Sequence, residues 1–252
     1  MQFETLIVKT EGPLGHLILN RPDRLNALGA TLMSELIEAA AWFDRQPDVR
    51  VVIVSGEGRA FSAGADLKDP PTAGASRQSG ASWLERREAG QLGLRMADAI
   101  ENMRAVTVAQ VQGYAVGGGV VLMAACDLRV AAADAIFSIP EIELGIPLAW
   151  GGIPRLVREI GPAMTKELVM TCRRFSPQEA QTLGFVNRVV APDRLAEEAL
   201  ALAREVYDKP SVPVVLTKDS GGLQYQSPVP MMLRGKEPKG SFLFWCYMAL
   251  SS

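Results

Sequence analysis

The chain has 252 residues, of which 48% are hydrophobic and 21% are charged, and its formal net charge is -2. This length buries a sizeable core, and the composition is typical of globular proteins. The charge balance argues against a globally basic nucleic-acid binder, and no apolar run reaches the roughly 18 residues that a membrane helix needs. We therefore expect a soluble protein with neither a nucleic-acid nor a membrane partner.

The first strand and helix patterns lie before residue 57. Two short apolar runs, 5–9 and 15–19, are separated by Glu11-Gly12-Pro13, and this composition predicts a hairpin. Apolar residues at helical spacing then predict an amphipathic helix that ends before Pro47. The next run, 49–56, is β-branched almost throughout, which is typical of a strand buried on both faces.

The second half of the chain repeats this alternation. A second buried-strand pattern at 105–113 leads into three glycines at 117–119, and 127–140 contains two further short strand patterns. Helices are predicted at 164–172 and 176–184, the latter with Ser176 as N-cap and Pro177 at its first position. The alternation predicts one α/β domain with a helical C-terminal part. The proline-rich tail is expected to pack on the body, to pack on another subunit, or to be poorly ordered.

The cysteines and the histidine exclude several kinds of site. Cys126, Cys172 and Cys246 lie far apart and form no CxxC pair, and no leader pattern precedes the first strand, so we expect a reducing cytoplasm. With His16 as the single histidine, in a predicted N-terminal strand, we expect neither a zinc site nor a serine or cysteine nucleophile paired with histidine.

Two glycine-containing loops follow the two buried strands, at 55–67 and 113–119. Ligands gather where the strands of α/β sheets end, and a helix that begins near Gly118 offers free amides to an anion or a developing oxyanion. Alternatively, the glycines only permit a tight turn and close packing.

The candidate acid or base groups are carboxylates. Glu141 lies between apolar neighbours, where a raised pKa would suit proton transfer, although a lone glutamate is also common at a surface. Asp66 has two interpretations, as a helix cap or as a functional group.

Six segments resemble the crotonase superfamily of enoyl-CoA hydratases and isomerases. They occur in family order and are NRPDRLNAL (20–28), GRAFSAGADL (58–67), VQGYAVGGG (111–119), ACDLRVAAADAIFSIPEIELGIP (125–147), GGIPRL (151–156) and GFVNRVV (184–190). The resemblance implies a spiral of ββα repeats at 1–200, a C-terminal segment at 201–252, trimers or dimers of trimers, and acyl-CoA thioesters as substrates. No cofactor is expected, because coenzyme A is part of the substrate.

The resemblance also implies roles for individual residues. The Ala65 and Gly118 amides would form an oxyanion hole, with Glu141 as acid or base. The CoA portion would lie along Arg24, Leu25, Ala27, Ala63, Asp66 and Leu67. Further substrate-binding positions are Tyr114, Gly117, Val121, Pro140, Leu144 and Trp150.

Three departures from the family pattern bear on the reaction. Family hydratases carry a first glutamate where this chain has Val121, which favours double-bond isomerisation or related proton transfer over hydration. Leu148, Ala149 and Trp150 replace a small-residue segment, and Trp150 either shapes an acyl pocket or fills a void. The tail after Lys218 is short and unlike the family helices.

Two alternatives to the isomerase stay open. One is an enoyl-CoA hydratase in which Glu143 or a residue of 69–93 supplies the missing carboxylate. The other is an acyl-CoA-binding protein that has lost turnover.

Overall fold

The computed structural model describes residues 2–68 and 82–223, and a six-stranded sheet forms its centre. The strand order is β1-β2-β3-β4-β6-β8, and β5 and β7 form a separate pair. Within the described residues the strands are β1 Leu6–Glu11, β2 Leu14–Leu19, β3 Val51–Gly56, β4 Val106–Val111, β5 Tyr114–Val116, β6 Leu128–Ala132, β7 Ile136–Ser138 and β8 Arg188–Val190.

Strand direction brings the functional loops to one edge of the sheet. β1 and β2 are antiparallel, as the hairpin prediction required, and every later pair is parallel, with Val51 opposite Val106 and Val108 opposite Leu128. The chain therefore leaves β3 and β4 at the same edge, and the segments that follow these two strands are neighbours.

The described helices pack on both faces of the large sheet. Their bounds are α1 Ala30–Asp44, α2 Trp83–Glu101, α3 Gly118–Ala125, α4 Gly152–Thr171, α5 Pro177–Thr182, α6 Leu195–Tyr207 and α7 Ser211–Leu223. All of β3 is buried: Val52 and Val54 join the core with α1, whereas Val51 and Ile53 join the core with α6. This alternation confirms the prediction of a strand buried on both faces.

The predicted helix at 164–172 is the second half of a longer element. α4 begins at Gly152 and bends at Gly161, directly before Pro162. The backbone of Gly161 lies outside the helical region (φ 75, ψ 165). Proline is tolerated at the start of a helical segment because the amide it lacks has no helical partner there. The second predicted helix is confirmed in detail, since Ser176 Oγ accepts from the Glu179 amide at 3.1 Å.

The architecture is a mixed α/β fold with a helical C-terminal part. The chain divides into two compact units, Met1–Lys218 and Asp219–Ser252, and the second lies almost wholly outside the described residues. The expectation for the tail, including Cys246, falls there. None of the helices in the described ranges is both long and apolar enough to cross a lipid bilayer.

Candidate active site

Two backbone amides point to a site at the edge where β3 and β4 end. Within 2–68 and 82–223, the amides of Ala65 and Gly118 have no hydrogen-bond acceptor. One amide next to each of them is engaged: the Asp66 amide donates to Leu28 O at 3.2 Å, and the Gly117 amide donates to Ser138 O at 2.8 Å. The flanking bonds fix the backbone, so both free amides are held in place without a partner.

The segments that carry these amides are in direct contact. Ser62 donates its amide to Tyr114 O at 3.0 Å, and Val116 donates its amide back to Ser62 O at 3.0 Å. A methyl group added at Gly64 would lie 2.4 Å from Val116 O and 3.3 Å from Gly118 N. The backbone around Ala65 is therefore packed against the start of α3.

The N-terminus of α3 adds positive potential to the same place. All eight residues of Gly118–Ala125 are buried, so the helix lies in a low-dielectric surrounding. The first amides of a helix have no intrahelical acceptor, and the aligned peptide dipoles place partial positive charge there. Gly117, which precedes the helix, has φ +50, a backbone conformation that favours glycine.

Glu141 places its carboxylate beside this helix start. A methyl group at Gly117 would lie 2.2 Å from Glu141 Oε1. Glu141 Oε2 is shut off from solvent and has no hydrogen-bond partner. Burial raises the pKa of the Glu141 carboxyl group above its ordinary value, and its own backbone amide offsets part of that rise. A carboxylate in this condition is suited to taking up and releasing a proton near a bound anion.

The position that carries a glutamate in family hydratases is apolar here. Val121 is fully buried, and its Cγ2 would lie 2.7 Å from a methyl group at Gly152, with Leu148 beside it. The Glu143 side chain, one candidate for a replacement carboxylate, is on an exposed residue. The other candidate segment, 69–93, lies largely outside the described residues.

The Trp150 side chain contacts the same start of α3 from the turn that precedes α4. A methyl group at Gly118 would lie 2.1 Å from Trp150 Cζ3, so the indole packs directly on this glycine. Arg155 holds the Trp150 backbone through hydrogen bonds to the carbonyl oxygens of Trp150 and Gly151. The sequence did not mark Arg155 for this role, although it lies in the segment 151–156, because its carboxylate partners Asp98 and Glu101 come from a distant helix.

The predicted CoA-binding residues form one continuous strip. Residues 24–27 lie beside 63–67, because the Ala63 amide donates to Leu25 O at 2.9 Å and the Leu28 amide donates to Gly64 O at 2.8 Å. Arg24 and Leu67 are exposed. The structure thus brings together all the positions expected to contact CoA, namely Arg24, Leu25, Ala27, Ala63, Asp66 and Leu67.

Two residues that the sequence did not single out hold this strip. Buried Asn26 donates Nδ2 to Ala60 O at 2.8 Å and to Glu57 O at 3.0 Å, with its own backbone in the left-handed region (φ 54). Arg21 pairs with the Asp66 carboxylate at 2.9 Å. Asp66 is 4% exposed, and its side chain links the two segments.

The remaining predicted positions lie around Glu141 and the β5 strand. Pro140 directly precedes Glu141, and Leu144 ends the 3-10 turn that Glu141 begins, with an exposed side chain. Tyr114 is the first residue of β5 and is exposed. His16 is paired in register with Lys9 and Ile53 inside the sheet. Across the described part of the chain, no group of three or more histidine, cysteine, aspartate or glutamate side chains could hold a metal ion.

Comparison with known proteins identifies the family. The family model "Enoyl-CoA hydratase/isomerase" matches residues 9–234. A relative from Rhizobium meliloti, named "Probable enoyl-CoA hydratase", is 41% identical over 206 residues, 82% of this chain and 76% of the relative. The peroxisomal Delta(3,5)-Delta(2,4)-dienoyl-CoA isomerase of Arabidopsis thaliana is 38% identical over 192 residues, 74% and 68% of the two chains. The crystal structure of enoyl-CoA hydratase from Bacillus anthracis superposes with a TM-score of 0.80 at 32% identity, covering 89% of this chain and 84% of that one. With this fold and these matches, the chain belongs to the enoyl-CoA hydratase/isomerase family of the crotonase superfamily.

Proposed function

We propose that the protein moves the double bond of an enoyl-CoA by proton transfer through a thioester enolate, with Glu141 as the carboxylate that carries the proton. The observation that supports this most strongly is the position of Glu141 Oε1 against Gly117, next to the unpartnered Gly118 amide. An enzyme acting on acyl-CoA thioesters is what the family predicts; the proposal concerns which reaction it performs.

The Ala65 and Gly118 amides bind the thioester oxygen in this proposal. Removing a proton from the carbon beside the thioester moves negative charge onto that oxygen. Two fixed N–H donors and a helix N-terminus stabilise this charge without reorganising. Loss of one donor of this kind typically slows a reaction by about 10²–10³-fold.

Glu141 then carries the proton between carbons. As a carboxylate, it takes a proton from the carbon beside the thioester, and as a carboxylic acid it returns the proton two carbons further along the chain. The double bond moves and no atom is gained or lost. Isomerisation needs one such group, whereas hydration also benefits from a second carboxylate to orient water, and Val121 cannot supply it.

The strip formed by 24–27 and 63–67 is the proposed CoA subsite. Exposed Arg24 offers a guanidinium to the phosphate groups of CoA. Assembly as a trimer or dimer of trimers and the absence of a separate cofactor are part of the same proposal and rest on the family resemblance. A cytoplasmic location is proposed from the widely spaced cysteines, which form no CxxC pair.

Hydration is the second candidate, because most of the named relatives are enoyl-CoA hydratases. In that case another carboxylate, such as Glu143, must approach the site once substrate is bound. The structure of the described residues favours this less, since the Glu143 residue is exposed while Glu141 Oε2 is buried and unpartnered.

The two candidates are separated by a pair of matched variants. Glu141→Gln keeps the shape of the side chain and removes the proton-accepting form, so we expect isomerisation of 3-hexenoyl-CoA to fall by about 10²–10⁴-fold while CoA binding is retained. Glu143→Gln is the control and should leave turnover unchanged. An equal loss in both variants would favour hydration with two carboxylates, and unchanged turnover in Glu141→Gln would remove Glu141 from the mechanism.

A further inference from the structure

Trp150 occupies a backbone conformation that bulky residues rarely adopt. Its φ is 57°, and the next residue, Gly151, also has a positive φ of 71°. A bulky non-glycine residue in the left-handed region is strained and persists where its surroundings fix it. Something in the surrounding structure therefore holds Trp150 in place.

Arg155 provides that support. Its Nη1 donates to Trp150 O at 3.3 Å and to Gly151 O at 3.2 Å, and its Nη2 donates to the carboxylates of Asp98 at 2.7 Å and Glu101 at 2.5 Å. Arg155 is only 5% exposed, so these bonds lie in a low-dielectric surrounding. The turn at Trp150 is thereby tied to α2 through one guanidinium.

The indole is fixed between two helices as well. A methyl group at Gly93 of α2 would lie 2.4 Å from the Cγ, Cδ1 and Cδ2 atoms of Trp150, and one at Gly118 of α3 would lie 2.1 Å from Cζ3. Both helices therefore have a glycine where they face the indole, and the space between them holds this flat ring and nothing thicker. The ring cannot swing away without breaking these contacts.

Glu141 and Trp150 touch consecutive residues of the α3 start. The Glu141 carboxylate lies against Gly117, and the Trp150 indole lies against Gly118. The peptide that joins these two glycines carries the free Gly118 amide. An acyl group whose thioester oxygen binds the Gly118 amide therefore lies close to the Glu141 carboxylate, which is at Gly117, and to the Trp150 indole, which is at Gly118.

We propose that Trp150 is the acyl-selectivity residue of the site and that it favours acyl groups that are flat next to the thioester over puckered groups of the same size. The conjugated enolate of the proposed reaction is flat in this sense, and an aromatic acyl group is a stable probe of the same shape. This inference rests on the proposed binding of the thioester oxygen at the Gly118 amide. Arg155 is a positioning residue that acts through Trp150.

The selectivity follows from the rigidity of the Trp150 indole, which forms one wall of the proposed acyl site. A fixed indole presents a rigid plane, against which a flat unsaturated group packs closely and gains an aromatic contact of about 0.5–1.5 kcal/mol. A puckered saturated ring of the same carbon number is thicker, so it meets the wall before its carbonyl reaches the amide. Acyl groups are therefore sorted by thickness.

Calorimetric binding of two matched ligands tests this. Benzoyl-CoA and cyclohexanecarbonyl-CoA have the same carbon count, and the first is flat whereas the second is puckered. We expect the wild-type protein to bind benzoyl-CoA about tenfold more tightly, the value that corresponds to the upper end of one aromatic contact. Equal affinities in the wild-type protein would overturn the proposal.

Three substitutions show whether Trp150 is the cause. Trp150→Leu keeps an apolar side chain but removes the plane, so the ratio of the two affinities should fall close to one; Trp150→Phe keeps a flat ring and should retain most of the ratio. Trp42→Leu, on α1, is the matched control and should leave the ratio unchanged. CoA alone should bind equally to all four proteins. A ratio that survives Trp150→Leu, or one that falls equally in Trp42→Leu, would contradict the assignment.

Arg155→Lys tests the positioning role. Lysine keeps a positive charge near Asp98 and Glu101 but cannot span all four acceptors, so the affinity ratio should fall while CoA binding is retained. If Trp150→Leu does not fold, the wild-type ratio together with Arg155→Lys and Trp150→Phe still decides the question. None of these measurements requires turnover, so an inactive protein with an intact ratio would contradict only the proposed reaction.

Discussion

Glu141 holds one carboxylate oxygen, Oε2, out of water and without a hydrogen-bond partner. An ionised carboxylate loses hydration in such a place, and this loss is the main reason why its pKa is raised. The same condition that prepares the group for proton transfer makes the folded state less stable when the group is ionised.

The pH dependence of stability follows from the direction of this pKa change. The folded protein binds the Glu141 proton more tightly than the unfolded chain does, so the stabilising contribution is present below the ordinary value of 4.5 and is lost as pH rises through the raised pKa. Glu141→Gln cannot ionise, so its Tm should match the wild-type Tm in acid and exceed it at neutral pH.

Differential scanning calorimetry of the two proteins from acid to neutral pH measures this difference. Glu143→Gln, at an exposed neighbour in the same turn, is the control and should show no comparable gain. A Glu141→Gln protein that is less stable than wild type at neutral pH would mean that the carboxylate has a stabilising partner.

At the scale of single residues, the sequence predicted the candidate site residues but not the residues that hold them in position. Glu141, Ala65 and Gly118 were recognisable from motifs. Arg155 and Asn26 were not, because Asn26 binds carbonyl oxygens of a distant turn and Arg155 pairs with carboxylates of a distant helix, and no local pattern records such contacts.

The helix α3 illustrates how elements share space around the site. Its first residue, Gly118, has no room for a side chain on the side where the Trp150 ring lies. The contact involves a side chain rather than a backbone, so the two positions should be energetically coupled.

A double-mutant cycle tests this coupling. Gly118→Ala should destabilise the wild-type protein, and the same change should cost about 0.5–3 kcal/mol less in a Trp150→Ala background, where the ring is absent. Denaturant unfolding gives the four free energies. Gly90→Ala on α2 is the control: nothing lies within 4 Å of a methyl group there, so alanine should stabilise by up to about 1 kcal/mol. Equal costs in the two backgrounds would exclude the contact with Trp150.

Two elements were harder to predict than α3. The strand β5 spans three residues inside what the sequence suggested was only a glycine loop, and its pairing with β7 depends on a segment 22 residues away, with Tyr114 opposite Ile136. The first half of α4 follows Gly151, begins at Gly152 and contains Pro154, residues that locally argue against a helix. Packing of buried Leu156 into the main core outweighs that preference.

At the scale of the whole described fold, Arg129 is a buried residue that joins four segments of the unit Met1–Lys218. From β6, its guanidinium donates to Phe185 O, to Cys126 O at 2.6 Å at the end of α3, and to Glu159 of α4 at 2.6 Å. Arg129 is 3% exposed. Loss of such a residue leaves several buried acceptors unpaired at once.

Arg129→Met should therefore lower the free energy of unfolding by about 3 kcal/mol, as expected when one partner of a buried pair is removed. Arg188→Met is the control, because its pairing with Glu205 lies at the surface and should contribute less than about 1 kcal/mol. Urea unfolding followed by circular dichroism compares the two variants. Similar losses in both would show that burial of the Arg129 network adds nothing.

The overall architecture could be predicted from the sequence because the buried strands and the family motifs follow one another in a fixed order. The reaction could not be predicted with the same certainty. It depends on the apolar surroundings of position 121, where Val121 contacts elements that meet only in the folded chain.

Oxygen-labelled water tests the central claim, that one carboxylate moves a proton and no water is added. 3-Hexenoyl-CoA and 2-hexenoyl-CoA are incubated separately with the protein in H₂¹⁸O, and the products are separated and identified by mass spectrometry. The account predicts that 3-hexenoyl-CoA gives unlabelled 2-hexenoyl-CoA as its main product and that 2-hexenoyl-CoA takes up label only slowly. Labelled 3-hydroxyhexanoyl-CoA formed from 2-hexenoyl-CoA as fast as 3-hexenoyl-CoA is isomerised would contradict it.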